Sequence, residues 1–172
     1  MKEIEVKILE IDVEEIRKKL LALGAEKVFD GELKVTGFDY PDERLDKEGK
    51  ILRVRKVGEK VELCFKGKKE ASKFKVREEI EVTTSGFKDT ITILEKAGLQ
   101  IFYKGEKRRE SYQIEKVRFE IDYYEGIPPF LEIEAQTEEE VIEWVEKLGF
   151  KMKQTTNMNG RDVKEYYENK TT

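Results

Sequence analysis

Pairs of like charges two residues apart recur along this sequence, in segments where hydrophobic and polar residues alternate. The carboxylate pairs are Glu3/Glu5, Glu79/Glu81 and Glu132/Glu134, and the cationic pairs are Arg53/Arg55 and Lys107/Arg109. In a strand, residues i and i+2 point to the same face and lie about 7 Å apart. Like charges at that spacing are unfavourable unless opposite charges lie between or opposite them. The set therefore indicates a site for a polyanion and its metal ions.

A solvated strand face in a protein rich in ion pairs is the competing interpretation of each pair. It is sufficient for one pair such as Glu79/Glu81, because charge runs are usually solvated. It is weaker for the whole set, because several unsupported like-charge pairs would each cost stability.

The elements that must position these residues are strands with one apolar and one charged face. Ile4, Val6 and Ile8, for example, alternate with the charged residues of the first segment. Alternation of this kind predicts strands at residues 2–11, 26–40, 51–57, 61–66, 74–83, 101–112, 113–123 and 130–136. Capping residues and apolar stripes predict helices that begin after Asp12, Ser85 and Thr137 and end at Gly24, Gly98 and Gly149. A turn-helix at 42–50 and a last helical stretch at 163–168 complete the prediction.

The helices need an apolar surface, so we expect them to cover the apolar faces of the strands. The charged faces must then face one another across an interior, which predicts a closed antiparallel sheet with a polar lumen. The positive members of that lumen are Lys7, Arg53, Arg55, Lys66, Arg77, Lys107 and Arg109. The negative members are Glu3, Glu5, Glu79, Glu81, Asp122, Glu132 and Glu134.

A triphosphate fits such an interior. It carries about four negative charges at neutral pH, which matches a ring of Arg and Lys donors. Paired carboxylates suit Mg²⁺ or Mn²⁺, which are hard cations that take oxygen ligands. Phosphoryl chemistry needs mainly positioning and charge neutralisation, so it does not require histidine.

Composition excludes several other classes of protein. The 172 residues include 34 basic and 38 acidic side chains, a balance that argues against a broad basic nucleic-acid surface. There is no histidine and a single cysteine, so a Ser-His-Asp triad, an internal disulfide and a Cys/His zinc site are all excluded. The sequence starts in a charged strand and has no membrane-length apolar run, so a soluble cytoplasmic protein is expected. The excess of Glu (30) over Asp (8) and of Lys (25) over Arg (9) resembles hyperthermophile proteins.

The single cysteine and a basic run at residues 66–75 each allow more than one interpretation. Cys64 lies between Glu62 and Lys66 on one face and is expected to be a small filler, not a nucleophile. The basic run of Lys66, Lys68, Lys69, Lys73 and Lys75 fits either an exposed charge run or a flap over the polyanion.

The residues Glu3-Ile4-Glu5-Val6-Lys7 resemble the ExExK signature of the CYTH superfamily, the triphosphate tunnel metalloenzymes. The resemblance runs from residue 3 to about residue 150, and its spacing is most similar to the class IV adenylyl cyclase branch. The remaining blocks, in family order, are Leu52-Arg53-Val54-Arg55, Phe65-Lys66-Gly67, Arg77-Glu78-Glu79-Ile80-Glu81, Lys107-Arg108-Arg109, Asp122 and Leu131-Glu132-Ile133-Glu134.

The resemblance implies an α+β fold, a closed eight-stranded antiparallel β-barrel or tunnel with helices on the outside. It implies one CYTH-like domain over residues 1–172, with its core at 1–150 and a tail with a short helix at 151–172. Carried over by position, the residues implied to bind Mg²⁺ or Mn²⁺ are Glu3, Glu5, Asp122, Glu132 and Glu134. The residues implied to bind phosphate oxygens are Lys7, Arg53, Arg55, Lys66, Lys107 and Arg109. Those implied to assist catalysis are Lys7, Arg77, Glu79 and Glu81.

The implied activity is metal-dependent cyclisation of ATP to cAMP with release of pyrophosphate. Hydrolysis of thiamine triphosphate or tripolyphosphate is the first alternative, and non-catalytic binding of a nucleotide or polyphosphate is the second. The sequence departs from the cyclase pattern at Val35–Tyr40 and at Asn159–Asp162, so the substrate stays open. The expected partner is a small-molecule triphosphate, with no nucleic acid and no membrane, and a homodimer remains an open alternative.

Overall fold

A computed structural model of the protein describes residues 2–70 and 72–170, with side chains from residue 4 onwards. The predicted metal ligand Glu3 therefore lies outside the described side chains. The strands are β1 Lys2–Ile8, β2 Glu26–Asp39, β3 Ile51–Val57, β4 Lys60–Lys66, β5 Lys75–Thr84, β6 Gln100–Ile114, β7 Val117–Tyr123, β8 Phe130–Ala135 and β9 Thr155–Thr156. The helices are α1 Val13–Ala22, α2 Arg44–Lys47, α3 Phe87–Lys96, α4 Glu138–Lys147 and α5 Gly160–Lys170, with a 3₁₀ turn at Met152–Gln154.

The strands form one sheet in the order β5-β4-β3-β2-β6-β7-β8-β1-β9. Strand β1 also pairs with β5, so the first eight strands close into an antiparallel β-barrel. The predicted α+β fold with a closed antiparallel barrel is therefore confirmed. An eight-stranded barrel has room inside for side chains but not for a helix.

Residues 31–70 and 77–107 belong to one compact unit, which has its own apolar core. Val54 and Val61 are buried there against Phe87, Ile91 and neighbouring residues of α3. The helix covers the apolar face of β3 and β4, as the sequence alternation predicts. The charged residues of these strands point to the opposite face.

Residues 3–30, 72–76 and 108–170 belong to the second compact unit. Its core joins alternate residues of β1, β7 and β8, such as Val6, Phe119 and Ile133, to α1 and α4. Trp144 of α4 packs edge-on against Phe119, with ring centroids 5.1 Å apart. The charged residues of β1, β7 and β8 again lie on the face opposite the helices.

The helix caps follow the predicted residues at two of three positions. Asp12 accepts a hydrogen bond from the Glu15 amide at the start of α1. Thr137 and Glu140 form the predicted capping box of α4. The prediction of Ser85 as the cap of α3 is wrong, because the N-cap is Gly86 and its helix has no side-chain cap. Glycine tolerates the extended N-cap conformation, so it can replace serine there.

Helix α1 is fixed to β6 by a carboxylate with no exposed surface, Glu110. Arg17 of α1 donates to it from Nε at 2.9 Å, and Tyr112 and Tyr123 donate their hydroxyls at 3.1 and 2.7 Å. Burial alone would raise the pKa of Glu110, but the bonds from Arg17 and the two tyrosines outweigh it and lower the pKa to about 2. The carboxylate is thus ionised and fully hydrogen-bonded on the helix side of the sheet.

Helix α5 begins at a reciprocal cap. The Asn159 side chain accepts from the amides of Arg161 and Asp162 at 2.8 and 3.1 Å, and Asp162 accepts from the Asn159 amide at 2.9 Å. The Asn159–Asp162 segment, which departs from the cyclase pattern, is therefore a helix start in this chain. None of the described helices combines the length and the apolar character needed to cross a membrane.

Candidate functional site

The charged face of β3, β4 and β5 carries most of the predicted basic residues. Arg53 lies opposite Cys64 in the register of β3 and β4, and Cys64 lies opposite Glu81 on β5. One step along, Lys66 of β4 lies opposite Glu79 of β5. The predicted residues Arg53, Arg55, Lys66, Glu79 and Glu81 thus share one face of three neighbouring strands, as the alternation predicts.

Arg55 is held by two carboxylates of this face. Its guanidinium lies 2.7 Å from Glu62 and 3.1 Å from Glu81. Glu62 is also contacted by Lys60 at 2.7 Å. These contacts fix the direction of the Arg55 side chain, which is only 15% exposed. A preoriented, largely desolvated guanidinium is well suited to bind a phosphate oxygen.

Glu79 organises the other half of the same face. Its carboxylate lies 3.1 Å from the Lys66 ammonium and 3.9 Å from the Arg53 guanidinium. The Cys64 thiol donates to it at 2.9 Å. Burial, aided by that bond, raises the pKa of Cys64 to about 11. The cysteine is therefore a protonated, buried filler, in agreement with the interpretation from the sequence.

The remaining predicted residues of this unit are less tightly grouped. Arg77 is buried and donates to the Gly49 carbonyl at 3.4 Å, so it fixes the turn after α2. Lys107 is half-buried near the middle of β6. Both belong to the unit that holds Arg53 and Arg55.

A group of ligand atoms in this unit lies close enough to hold a metal ion. The ligand atoms of Cys64, Glu79 and Glu81 lie within 4.8 Å of one another. Their charge is already balanced, because Lys66 and Arg53 contact Glu79 and Arg55 contacts Glu81. A protonated thiol is also a poor metal ligand. This group therefore fits the role of holding cations in place better than that of a metal centre.

The charged face of β1, β8 and β7 carries the predicted metal ligands. Glu5 of β1 lies directly opposite Glu134 of β8, and Lys7 lies opposite Glu132. Glu132 in turn lies opposite Glu120 of β7. Two facing carboxylates at a cross-strand position, about 4.5–5.5 Å apart at Cβ, are unfavourable without a cation.

Glu5 is the most constrained member of that pair, with 1% exposure. Its Oε1 accepts from the ammonium groups of Lys7 and Lys75, the latter at 2.5 Å. Its Oε2 is buried and has no hydrogen-bond partner among the described residues. A buried carboxylate oxygen without a donor costs about 1–3 kcal/mol. An unsatisfied oxygen beside a second carboxylate is a donor set that fits a divalent metal.

Lys7 is a buried cation between two carboxylates, since it contacts both Glu5 and Glu132, the latter at 2.7 Å. Burial alone would lower the pKa of Lys7, but the charges of Glu132 and Glu5 outweigh it and hold the pKa well above its ordinary value. The side chain therefore stays positively charged at neutral pH.

Arg109, predicted to bind phosphate, is surrounded by carboxylates. It binds Asp122 through two nitrogens, at 2.6 and 2.7 Å, and also contacts Glu120. Burial alone would lower the pKa of Arg109, but Asp122 and Glu120 keep it well above its ordinary value. Arg109 and Asp122 are therefore already bound to each other. These bonds would have to break before Arg109 could bind phosphate or Asp122 could bind a metal ion.

Glu134 differs from Glu5 and Glu132 because a cation that it contacts is half exposed, whereas Lys7 is buried. Glu134 contacts Arg118 at 2.7 Å, and the Arg118 side chain is 49% exposed. An exposed ion pair contributes little stability, so its arginine is readily replaced by water. The Glu134 carboxylate is therefore more easily made available to a metal ion than that of Glu5.

Two residues of this face, Lys75 and Glu120, were not predicted as site residues. Lys75 was grouped with the basic run, yet it is buried and bound to Glu5. Glu120 was not among the candidates, although it lies two residues from Asp122 and contacts Arg109. Glu120 could have been predicted, because residues two apart in a strand share a face and Asp122 was already assigned to this one. Alternation with Arg77 already placed Lys75 on the charged face, but the buried contact with Glu5 depends on the pairing of β1 with β5. In that run Lys66 is likewise buried, whereas Lys68 and Lys73 are exposed.

Comparisons with known proteins agree with this architecture. The sequence profile of the CYTH domain matches residues 1–167. A Methanocaldococcus jannaschii protein named "Putative adenylate cyclase" is 31% identical over 137 residues, which are 78% of this chain and 77% of the relative. The PH1012 protein of Pyrococcus horikoshii has a structure with a TM-score of 0.78 and 25% identity, covering 94% of this chain and 98% of that one. A Hippeastrum protein described as a putative adenylyl cyclase with a dominant triphosphatase activity has a TM-score of 0.65 and 16% identity, covering 98% and 95%.

Proposed function

This chain belongs to the CYTH family, and from that premise we propose that it is a metal-dependent enzyme acting on the triphosphate group of a small molecule. The observation that carries the proposal is the cross-strand pair of Glu5 and Glu134. A protein that only binds anions has no use for two facing carboxylates, one of which has an unsatisfied buried oxygen. A divalent metal would satisfy that oxygen.

The metal would be held by Glu5 and Glu134, with Glu132 beside them and Glu3 as a further proposed ligand. Mg²⁺ or Mn²⁺ is the ion whose preference for carboxylate oxygens fits these residues. When bound, it would neutralise charge on the phosphate oxygens and so favour attack on phosphorus. Asp122 is proposed to act through Arg109, because the two are already bound to each other.

The phosphate oxygens would be bound by Arg53, Arg55 and Lys66, with Lys107 as a further donor. Glu62, Glu79 and Glu81 contact the first three of these cations and so restrict their positions. Pre-oriented donors lose little side-chain entropy on binding, which strengthens charge-assisted bonds to phosphate. We accordingly propose Glu79 and Glu81 as positioning residues, and Arg77 as the residue that fixes the adjoining turn.

Lys7 is proposed to act as a permanent positive charge. The charges of Glu132 and Glu5 outweigh burial and raise its pKa, which favours the ammonium form over the neutral amine that a general base would need. The proton of the nucleophile would then go to water, to a carboxylate or to the substrate itself. Positioning and charge neutralisation are enough for phosphoryl chemistry, as expected for a chain without histidine.

Cyclisation and hydrolysis differ in the nucleophile and in the phosphorus that it attacks. In cyclisation the ribose 3′-hydroxyl attacks the α-phosphorus and pyrophosphate leaves, whereas in hydrolysis water attacks the terminal phosphorus and the diphosphate leaves. The name of the 31% identical Methanocaldococcus relative favours cyclisation of ATP as the first candidate. The description of the Hippeastrum protein favours hydrolysis as the second. A cyclase must hold base and ribose so that the hydroxyl lies in line with the α-phosphorus, whereas a hydrolase needs only room for water.

Chromatography of the products formed from ATP, thiamine triphosphate and tripolyphosphate tests the proposal. We expect turnover of at least one substrate with Mg²⁺ or Mn²⁺ and none after chelation. Cyclic nucleotide plus pyrophosphate identifies a cyclase, and released phosphate identifies a triphosphatase. Tight binding of all three compounds without turnover would instead assign the protein to the non-catalytic binders.

A further inference from the structure

The tyrosine at position 103 of β6 covers a glycine on the charged face of the first unit. A Cβ built on Gly37 of β2 would lie 2.0, 2.4 and 2.5 Å from ring atoms Cε1, Cδ1 and Cζ of Tyr103. The ring therefore occupies the volume that any other side chain at position 37 would fill. The pairing of these two residues depends on glycine, because no Cβ can approach ring carbons so closely.

The register places this ring beside the phosphate-binding candidates. Gly37 lies directly opposite Arg53 of β3, so a side chain at 37 would point to the same face as Arg53. The next pair, Phe38 and Leu52, lies on the apolar face and packs in the core under α3. Tyr103 thus lies over the charged face, about one strand spacing, roughly 4.8 Å, from the strand that carries Arg53 and Arg55.

The ring also has accessible surface. Gly37 is buried beneath it, whereas Tyr103 is 40% exposed. One side of the ring therefore shields the glycine and other surface of the ring stays open. Covering a strand glycine is a known structural use of aromatic rings. Covering Gly37 explains the contact between the two residues. It does not explain why the ring is also exposed and lies close to Arg53 and Arg55.

We propose that Tyr103 determines substrate specificity by stacking against the flat organic group of the triphosphate, so that this chain prefers an organic triphosphate to tripolyphosphate. The inference rests on the proposed function, because Arg53 and Arg55 must bind the phosphates for the organic group to lie near Tyr103. Aromatic stacking tolerates different ring systems, so adenine and the rings of thiamine are both suitable partners. Tripolyphosphate has no ring and gains nothing from Tyr103.

Calorimetry with the non-hydrolysable bis-methylene analogues of ATP, thiamine triphosphate and tripolyphosphate, in Mg²⁺ buffer, tests the inference. Tyr103→Ala should weaken binding of the preferred organic analogue on the order of tenfold and leave tripolyphosphate binding within about twofold. Tyr103→Phe should bind like the parent protein. Gly37→Ala, which displaces the ring while keeping the tyrosine, should weaken the same organic analogue. The organic analogue whose binding falls more in Tyr103→Ala identifies the preferred ring system.

The outcomes separate this inference from the proposed function. Equal weakening of all three analogues by Tyr103→Ala, or no weakening of any, would overturn the specificity role and leave only the covering of Gly37. A parent protein that binds tripolyphosphate but neither organic analogue would overturn the inference while supporting the phosphate site. A parent protein that binds none of the three would overturn the proposed function itself. Thermal midpoints of the three variants show whether each is folded.

Discussion

Glu134 and Arg55 lie on separate strands and have different partners, and we expect their replacement to separate metal binding from triphosphate binding. Glu134→Ala removes a proposed metal ligand and breaks its contact with the half-exposed Arg118. Triphosphate binding without metal should persist, or strengthen because a repelling carboxylate is gone, while turnover collapses. Arg55→Ala removes a charge-assisted bond worth roughly 1.5–3 kcal/mol, which weakens triphosphate affinity on the order of tenfold to a hundredfold.

Calorimetry with tripolyphosphate, with and without Mg²⁺, measures both effects. Lys34→Ala is the control for loss of one cation, since Lys34 is 54% exposed and pairs with Glu106. If Glu134→Ala and Arg55→Ala both bind tripolyphosphate as Lys34→Ala does, with and without Mg²⁺, the two side chains do not belong to a common site for metal and triphosphate.

At the residue scale, the sequence predicted which side chains share a face but not which partners they have. Alternation placed Arg53, Arg55 and Glu79 correctly, because a strand allows a side chain only two directions. It could not show that Arg109 is already bound to Asp122, since that depends on the register between β6 and β7. The contact of Tyr103 with Gly37 was likewise beyond the sequence, because it joins residues far apart in the chain.

The network around Glu110 holds an element, helix α1, and its strength should depend on pH. The pKa of Glu110 is about 2 in the folded protein and near its ordinary value of 4.5 when unfolded. A carboxyl whose pKa is lowered by folding stabilises the protein above the ordinary value, and that stabilisation is lost as the pH falls towards 2. We expect the difference in unfolding free energy between the parent protein and Glu110→Gln to be largest at neutral pH and to shrink below pH 4.5.

Urea denaturation at a series of pH values measures this difference. Comparing the two proteins at each pH cancels the titration of the other carboxyl groups, which both share. A difference that stays constant from pH 7 to pH 3 would mean that Glu110 contributes by its shape alone.

The start of α5 gives a second prediction at this scale. Asn159→Ala removes the acceptor for two backbone amides and should cost about 1 kcal/mol, felt mainly by this helix. Asn159→Asp keeps an acceptor and is the matched control. Hydrogen exchange of the α5 amides should rise in the alanine variant and stay near the parent level in the control. Equal exchange in all three proteins would show that packing of Val163 and Tyr167, not the cap, holds the helix.

Elements were the most predictable level of this structure. Residues 51–57 were predicted as a strand with the observed bounds, because turn signals flank the alternation on both sides. The boundary between β6 and β7 was misplaced, since the turn lies at residues 115–116 and not at 112–113. Alternation runs through that turn with little change, and only the left-handed backbone of Glu115 marks it in the structure.

The whole molecule should be more stable when the proposed metal is bound. A ligand that binds only the folded state stabilises it by about 2.7 kcal/mol at a concentration of 100 Kd. The midpoint of thermal unfolding should therefore rise when Mg²⁺ is added. In Glu5→Gln the rise should be much smaller, because the unsatisfied Oε2 is replaced and the charge is lost. NaCl at equal ionic strength controls for screening, and an equal rise in both proteins would place the ion elsewhere.

Closure of the sheet through β1 has a consequence for how the protein is made. Strand β1 is synthesised before both of its main partners, β5, which begins at Lys75, and β8, which ends at Ala135. Until β5 has been synthesised, the apolar row of Ile4, Val6 and Ile8 has no partner strand beside it, and the partner on its other side is complete only at Ala135. Pairings between such distant segments form slowly and leave unpaired edges exposed to aggregation. We therefore expect the yield of folded protein in a growing cell to depend on how well β1 is shielded while translation continues.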